Sequence, residues 1–221
     1  MKHCLGIVLA TLAIAGCKSP PSRPLVPSPS LTVEQLAAAV AADARSSDIE
    51  TDSTTRDQLA ADALRNAQAC LDRAPQEAAC LYYHAIALGL RARAHPLRAN
   101  EALKSMLEAL GAAEAADPEY DQAGPARVKA QVLVKAPAWP LGPGDAEAGL
   151  ASARRAVDLR PQYPPNVLAL AEALGKNGDT RGAQEAYRRA RELSQVLPPS
   201  RDREDWLSEA DQGLGRGSPA H

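Results

Sequence analysis

Cysteines are the residues of this chain whose positions offer the clearest chemistry. Cys17 closes an apolar N-terminal run, where a thiol can carry an acyl anchor, and Cys70 and Cys80 stand on either side of Pro75. The fourth cysteine, Cys4, lies near the start of the apolar run. This spacing makes lipid attachment at Cys17 and a disulfide between Cys70 and Cys80 the covalent chemistry to consider.

Catalytic and metal-binding motifs do not stand out in the sequence. There is no phosphate loop, no H-E-x-x-H, no G-x-S-x-G and no Cys/His cluster with metal-ligand spacing. His84 and His95 are isolated, and a formal net charge of -2 lacks the basic excess of nucleic-acid-binding domains. We therefore expect no enzymatic activity, no metal, no cofactor and no nucleic-acid partner.

Residues 1–16 are predicted to form a cleaved signal peptide. Lys2 and His3 give it a basic start, and its apolar run of about ten residues is too short for a membrane-spanning helix, which needs roughly 20. The sequence Ile14-Ala15-Gly16-Cys17 resembles the lipobox of bacterial lipoproteins. An ordinary secretory signal with a chance cysteine is the alternative, but the small residues directly before Cys17 favour lipidation with acyl chains such as palmitate.

Residues 17–30 are predicted to form a lipidated tether. Their prolines favour extended polyproline conformations, which reach at most about 40 Å from the lipid surface at about 3.1 Å per residue. Position 18 is Lys rather than the Asp that, by resemblance to Gram-negative lipoproteins, retains such proteins at the inner membrane. The sequence therefore predicts a lipid-anchored protein on the periplasmic face of the outer membrane.

The predicted periplasmic location affects the oxidation state of the remaining cysteines. Once Cys4 leaves with the signal peptide and Cys17 is acylated, Cys70 and Cys80 remain as a pair in an oxidising space. A disulfide across the turn at Pro75 is sterically reasonable, and two buried cysteines acting as small hydrophobic residues are the alternative. The sequence leaves both open.

Proline spacing indicates an internal repeat. Pro75, Pro118 and Pro161 lie 43 residues apart, and each is followed by Gln or Glu. A 34-residue register also relates Gly144-Asp145 to Gly178-Asp179. Periods of this size are typical of helical repeat arrays, and a chain with no Phe and much Ala suits closely packed helices.

The segment 164–197 matches a known repeat. Ala183, Tyr187 and Ala190 share one helix face and fit the small and large positions of the tetratricopeptide repeat (TPR), which this segment resembles. We therefore predict an all-α fold for residues 31–213, a TPR-like array of four helical hairpins closed by a capping helix, and a disordered tail at 214–221. The predicted helices span 32–45, 54–73, 77–92, 97–116, 121–135, 145–160, 163–175, 179–195 and 200–213. Thr32 and Gln35 form a capping-box signature at the first of them.

Short motifs follow one another in a recognisable order through residues 54–197. They are Tyr82-Tyr83, Ala116-Asp117-Pro118-Glu119-Tyr120, Gly124-Pro125, Pro140-Leu141-Gly142-Pro143-Gly144-Asp145 and Tyr163-Pro164-Pro165-Asn166. In this order they resemble the T-component family, periplasmic repeat lipoproteins associated with TRAP-type (tripartite ATP-independent periplasmic) transporters. The resemblance implies repeats that enclose a hydrophobic pore, association as homotrimers, and the transporter's soluble solute-binding protein as partner.

Three residues are candidates for a ligand groove. Helix periodicity places Tyr82 and Ile86 toward the concave side of the array, where repeat proteins bind extended or apolar ligands. Trp139 lies on a loop, 136–144, whose prolines and glycines cannot continue a helix, and its ring is expected to close over a cavity or a partner surface. For both aromatic residues the alternative is structural, with the Tyr82 ring buried beside a solvated hydroxyl and Trp139 covering the core.

Together these features predict a membrane-anchored periplasmic lipoprotein that serves as the auxiliary T-component of a solute transporter. It would bind the solute-binding protein and pass an apolar ligand through its pore. The alternative is a TPR scaffold lipoprotein for envelope assembly with no small ligand. The sequence does not identify a transported solute.

Overall fold

The computed structural model describes residues 31–216, which form nine α-helices and one 3₁₀ turn, Pro96–Arg98. The helices are α1 (Val33–Ile49), α2 (Ser53–Arg73), α3 (Ala78–Ala94), α4 (Ala99–Ala116), α5 (Tyr120–Lys135), α6 (Ala146–Leu159), α7 (Pro164–Lys176), α8 (Thr180–Gln195) and α9 (Arg201–Arg216). The predicted signal peptide, Cys17 and the tether lie outside the described residues, as do residues 217–221. Of the helices described, none combines the length and the apolar character needed to cross a membrane.

Successive helices pair into four antiparallel hairpins, α1–α2, α3–α4, α5–α6 and α7–α8, and α9 packs on the last of them. Each odd-numbered helix also contacts the next odd-numbered helix, whereas no even-numbered helix between residues 33 and 216 contacts another even-numbered one. The array therefore has an inner layer of odd-numbered helices and an outer layer of even-numbered helices. The predicted all-α array of hairpins with a capping helix is confirmed.

The connections between helices divide the array into two ends. At the tip end, residues 50–52, 95–98, 136–145 and 177–179 join the two helices of each hairpin. At the base end, residues 74–77, 117–119, 160–163 and 196–200 join each hairpin to the next element. The three repeated prolines, Pro75, Pro118 and Pro161, all lie in connections at the base end.

Polar side chains fix where several helices begin. The predicted capping box forms at α1, where Thr32 N donates to Gln35 Oε1 at 2.9 Å and Gln35 N donates to Thr32 Oγ1 at 3.3 Å. At the tip end, Asp52, Asp145 and Asp179 each accept a hydrogen bond from the backbone N–H three residues later. These aspartates cap α2, α6 and α8, so these three outer helices begin where the sequence supplies an acceptor, whereas α4 begins after Arg98 without a side-chain cap.

Alanine dominates the contacts between helices. Fully buried small residues include Ala63, Ala67, Ala85, Ala153 and Ala156, and the larger fully buried side chains include Leu36 and Leu110. Small side chains let the helix backbones approach closely, and the few leucines fill the remaining space. This packing explains how a chain without Phe builds a core.

Helix α9 covers the open end of the fourth hairpin. Ala210 is fully buried, and Trp206 packs against the core between α7 and α8. A Cβ atom at Gly213 would come within 2.4 Å of the Tyr187 ring, so this close approach requires glycine. The helix continues to Arg216, so residues 214–216 of the predicted tail are helical, and residues 217–221 lie outside the described part of the chain. Gln184 Nε2 donates to the Gly213 carbonyl at 3.1 Å and holds the last turn on α8.

Candidate functional site

The first turn of α5 has an unusual backbone. Asp121, Gln122 and Ala123 have φ angles of 48°, 58° and 63°, so three consecutive non-glycine residues are left-handed. That conformation costs an L-residue roughly 1–2 kcal/mol. Contacts from the surroundings must therefore hold residues 121–123, which we call the left-handed turn.

Arg127 supplies most of these contacts from the next turn of α5. Nη1 donates to the carbonyl oxygens of Asp121 at 3.1 Å and of Gln122 at 3.2 Å, and Nη2 pairs with the Asp121 carboxylate at 2.8 Å. The residue is only 7% exposed. Its donors thus hydrogen-bond carbonyl groups that the left-handed turn orients away from the helical hydrogen-bond pattern.

Helices α3 and α7 complete a polar network around the turn. From α3, the Tyr82 hydroxyl donates to Asp121 Oδ2 at 2.8 Å. From α7, the fully buried Asn166 accepts from Arg127 Nη1 at 3.2 Å and donates to the Gln122 carbonyl at 3.0 Å. The turn is therefore tied to the inner helices on both sides, and a fully bonded network of this kind is rigid.

A strip of aromatic side chains crosses this network along the inner layer. Tyr83 and Tyr120 lie edge to face with ring centroids 6.4 Å apart, and Tyr163 and Trp206 do so at 5.6 Å. Arg127 contacts the second pair, with its guanidinium 5.2 Å from the centre of the Tyr163 ring. It reaches the first pair indirectly, through Asp121 and the Tyr82 ring. The aromatic strip consists of Tyr83, Tyr120, Asp121, Arg127, Tyr163 and Trp206, all on odd-numbered helices or, for Tyr163, at the N-cap of α7.

The aromatic strip offers ring faces and polar groups to a ligand. Its rings are half-buried, and the Asp121 side chain is 39% exposed. Burial raises the pKa of the Tyr83, Tyr120 and Tyr163 hydroxyls above the ordinary value. These hydroxyls therefore stay protonated at neutral pH and act as hydrogen-bond donors instead of bases. Across residues 31–216, no three His, Cys, Asp or Glu side chains cluster as a metal site would require.

A cavity of about 300 Å³ opens beside the aromatic strip. It is lined by Gln122, Leu159, Arg160, Pro161, Gln162 and Tyr163. Because Tyr163 belongs to both features, the cavity adjoins the aromatic strip at the base end.

The three predicted groove residues are not brought together. Tyr82 is 4% exposed with its hydroxyl bound to Asp121, and Ile86 is half-buried against the core of α1, α2 and α3. Trp139 is 87% exposed at the tip end, and the length of α5, about 20 Å, separates it from Asp121. The predicted groove is corrected for a physical reason: α5 packs on the face of α3 that periodicity assigned to open space.

The structure joins Cys70 and Cys80 in a disulfide, with their Cα atoms 5.3 Å apart. The bond links α2 to α3 across the base connection at Pro75. Both residues are also fully buried, in a cluster with Leu36 of α1. The bridge therefore fastens the first hairpin to the second inside the core.

Sequence reasoning missed Asp121, Arg127 and Asn166 as functional candidates. One signal was available, because Cys80, Ala123 and Asn166 lie 43 residues apart and are all fully buried. A polar amide at a repeat position that otherwise holds a small residue indicates a buried hydrogen-bond network. The left-handed turn carries no comparable signal, since none of its residues is glycine.

Comparison with solved structures shows that the fold is TPR-like. The chain is similar to a thermophilic TPR protein from Thermus thermophilus, with 21% sequence identity and a TM-score of 0.55. The match covers 82% of this chain and 92% of that chain. The chain matches no protein-family model and no curated protein.

Proposed function

We propose that this chain is a lipid-anchored periplasmic protein that binds a protein partner on the inner layer of its TPR-like array. The observation that carries the proposal is the aromatic strip, which combines half-buried rings, protonated hydroxyls and a partly exposed carboxylate. Helical repeat arrays use extended surfaces of this kind for binding.

The chemistry of the aromatic strip suits a polypeptide. Tyr and Trp rings provide a large contact area at a low cost in conformational entropy, which is why they are enriched at binding hot spots. The tyrosine hydroxyls can donate to backbone carbonyls, and Asp121 can accept from an N–H group or a cationic side chain. The cavity of about 300 Å³ beside Tyr163 provides room for a partner side chain. Because Arg127 holds the left-handed turn, this surface needs little ordering when a partner binds.

The proposed partner is the solute-binding protein of a TRAP-type transporter. The order of motifs through residues 54–197 supports this choice, and so does the predicted lipid anchor at Cys17. The Cys70–Cys80 disulfide suits an oxidising compartment such as the periplasm. The function would be to hold a soluble binding protein near the outer membrane, with the homotrimer of the T-component family as the proposed assembly.

The burial of Tyr82 favours a second candidate, a scaffold for envelope assembly that binds proteins and no small ligand. Tyr82 and Ile86 pack in the core, so passage of an apolar ligand along them is not part of the proposal. Both candidates use the aromatic strip and differ in the identity of the partner.

A photo-crosslinking amino acid at position 162 tests the proposal. Gln162 is exposed and lines the cavity beside Tyr163, so the substitution leaves the core intact. Glu192, which is exposed on the outer helix α8, is the matched control position. After irradiation of intact cells, mass spectrometry of the products should identify a solute-binding protein at position 162 and not at position 192.

Other outcomes separate the candidates. Recovery of envelope assembly factors at position 162 alone would support the scaffold. Equal products at positions 162 and 192, or none at 162, would contradict binding at the aromatic strip.

A further inference from the structure

Large apolar side chains are exposed at one end of the array. Among residues 31–216, four of the five large hydrophobic side chains that stand out in solvent belong to the tip end: Ile49, Leu97, Trp139 and Leu141 are 63%, 102%, 87% and 77% exposed. The fifth, Val196, is 81% exposed at the base end. The four residues belong to three consecutive hairpins, and we call them the tip row.

Backbone hydrogen bonds hold the tip row in place. In the connection that carries Trp139, Gly144 N donates to Pro137 O at 2.9 Å. The 3₁₀ turn that carries Leu97 is closed by Arg98 N, which donates to His95 O at 2.9 Å. Because these connections are ordered while their apolar side chains remain in solvent, burial of the tip row requires an external partner.

Two unpaired guanidinium groups lie beside Leu97. Within residues 31–216, neither Arg91 nor Arg98 has an ion-pair partner, whereas the neighbouring Arg93 and His95 are bound by Asp48 and Asp57, each at 2.8 Å. A cavity of about 380 Å³ at this point is lined by both unpaired arginines and by Glu101. Glu101 has no ion-pair partner within residues 31–216 either, so two guanidinium groups against one carboxylate leave the lining of this cavity with a net positive charge, which complements the phosphates of anionic lipids.

The length of chain before α1 allows the tip end to reach a bilayer. The described residues begin at Leu31 at the base end, and α1, with 17 residues, is about 26 Å long. Residues 18–30 extend to at most about 40 Å. A chain held at Cys17 can therefore lie with its tip end on the bilayer, and its aromatic strip then faces the periplasm.

We propose that the tip row is a membrane-contact edge that inserts into the interface of an anionic bilayer. The proposal rests on the lipid anchor of the proposed function. A bilayer fits the row because its apolar side chains are spread over the tips of three consecutive hairpins at one end of the array. An exposed Trp with aliphatic side chains and unpaired arginines is the residue mixture that membrane interfaces favour.

Tryptophan fluorescence tests this edge directly, because the chain has two tryptophans. Trp206→Phe leaves Trp139 as the sole reporter, and Trp139→Phe leaves the half-buried Trp206 as the control. The chain from Cys17 onward is coupled through that thiol to a maleimide lipid in vesicles of phosphatidylethanolamine and phosphatidylglycerol. We expect the Trp139 emission to shift to shorter wavelength and to be quenched by brominated acyl chains, while Trp206 emission stays unchanged.

Matched charge substitutions give the second readout. Leu97→Asp and Leu141→Asp should each lower the vesicle partitioning of the uncoupled chain by about tenfold, since each removes the transfer free energy of one leucine. Val196→Asp, at the base end, should leave partitioning unchanged.

Chemical coupling makes the result independent of lipidation in cells, and crosslinking at position 162 tests the proposed function separately. An unshifted, unquenched Trp139, equal quenching of both tryptophans, or an equal loss with Val196→Asp would overturn the membrane-contact edge.

Discussion

Replacing Arg127 with methionine removes the buried side chain that holds the left-handed turn. The substitution keeps much of the volume but deletes the donors to the Asp121 and Gln122 carbonyls and the ion pair with the Asp121 carboxylate. Loss of one partner from a buried ion pair costs about 3–5 kcal/mol. Because the Asp121 side chain is 39% exposed, water stabilises the remaining charge, and we expect a loss of about 2–3 kcal/mol in the free energy of unfolding.

Urea and thermal denaturation, followed by circular dichroism, measure this loss. For a chain of this size it corresponds to a fall in Tm of roughly 4–12 °C. Arg191→Met is the matched control, because Arg191 pairs with Asp211 at 2.8 Å and both side chains are exposed, at 44% and 58%, so its loss should cost less than about 1 kcal/mol. Equal destabilisation by the two variants would refute the role assigned to Arg127.

Other perturbations test the disulfide, the buried tyrosine and the anchor. Serine at both Cys70 and Cys80 should lower the free energy of unfolding by about 2–3 kcal/mol, because the bridge closes a short loop; an unchanged urea midpoint after reduction of the wild type would contradict this. Burial raises the pKa of Tyr82 in the folded state, whereas in the unfolded chain its hydroxyl ionises near about pH 10. The protonated Tyr82 hydroxyl therefore contributes its full stabilisation below that pH, and the contribution is lost as the pH rises from there toward the folded-state pKa. Between about pH 9 and 11, the free energy of unfolding measured in denaturant titrations should therefore fall less for Tyr82→Phe than for the wild type. An equal fall in the two proteins would count against a raised pKa for Tyr82. Cys17→Ser should abolish acyl labelling, and a serine variant that still fractionates with the outer membrane would show that the lipobox interpretation is wrong.

The hairpin order could be predicted from the sequence because it depends on local signals. Prolines every 43 residues mark the base connections, and the Thr32–Gln35 capping box marks the start of α1. The small residues Ala183 and Ala190 lie on the buried face of α8, as their spacing predicts. Each of these signals lies within one helix or one repeat.

The candidate site could not be predicted in the same way because it depends on contacts between repeats. Helix periodicity divides one helix into a buried face and an exposed face. Tyr82, however, lies on an inner helix that has neighbours on several sides. Helix α5 covers the face of α3 that periodicity assigned to a groove. The left-handed turn at residues 121–123 is held by Arg127 and by side chains 39 or more residues away in sequence. Only the buried Asn166 carried a sequence signal, through its repeat position.

Binding of a protein at the aromatic strip is the central claim, and hydrogen–deuterium exchange tests it most directly. The measurement compares the purified chain alone with the same chain bound to the partner identified by crosslinking at position 162. Slower exchange is predicted for backbone amides in 117–127 and 160–168, which carry the left-handed turn and the cavity, with no change across the outer helix α8. Protection confined to α8 and the other outer helices, or no protection at the base end, would contradict the claim.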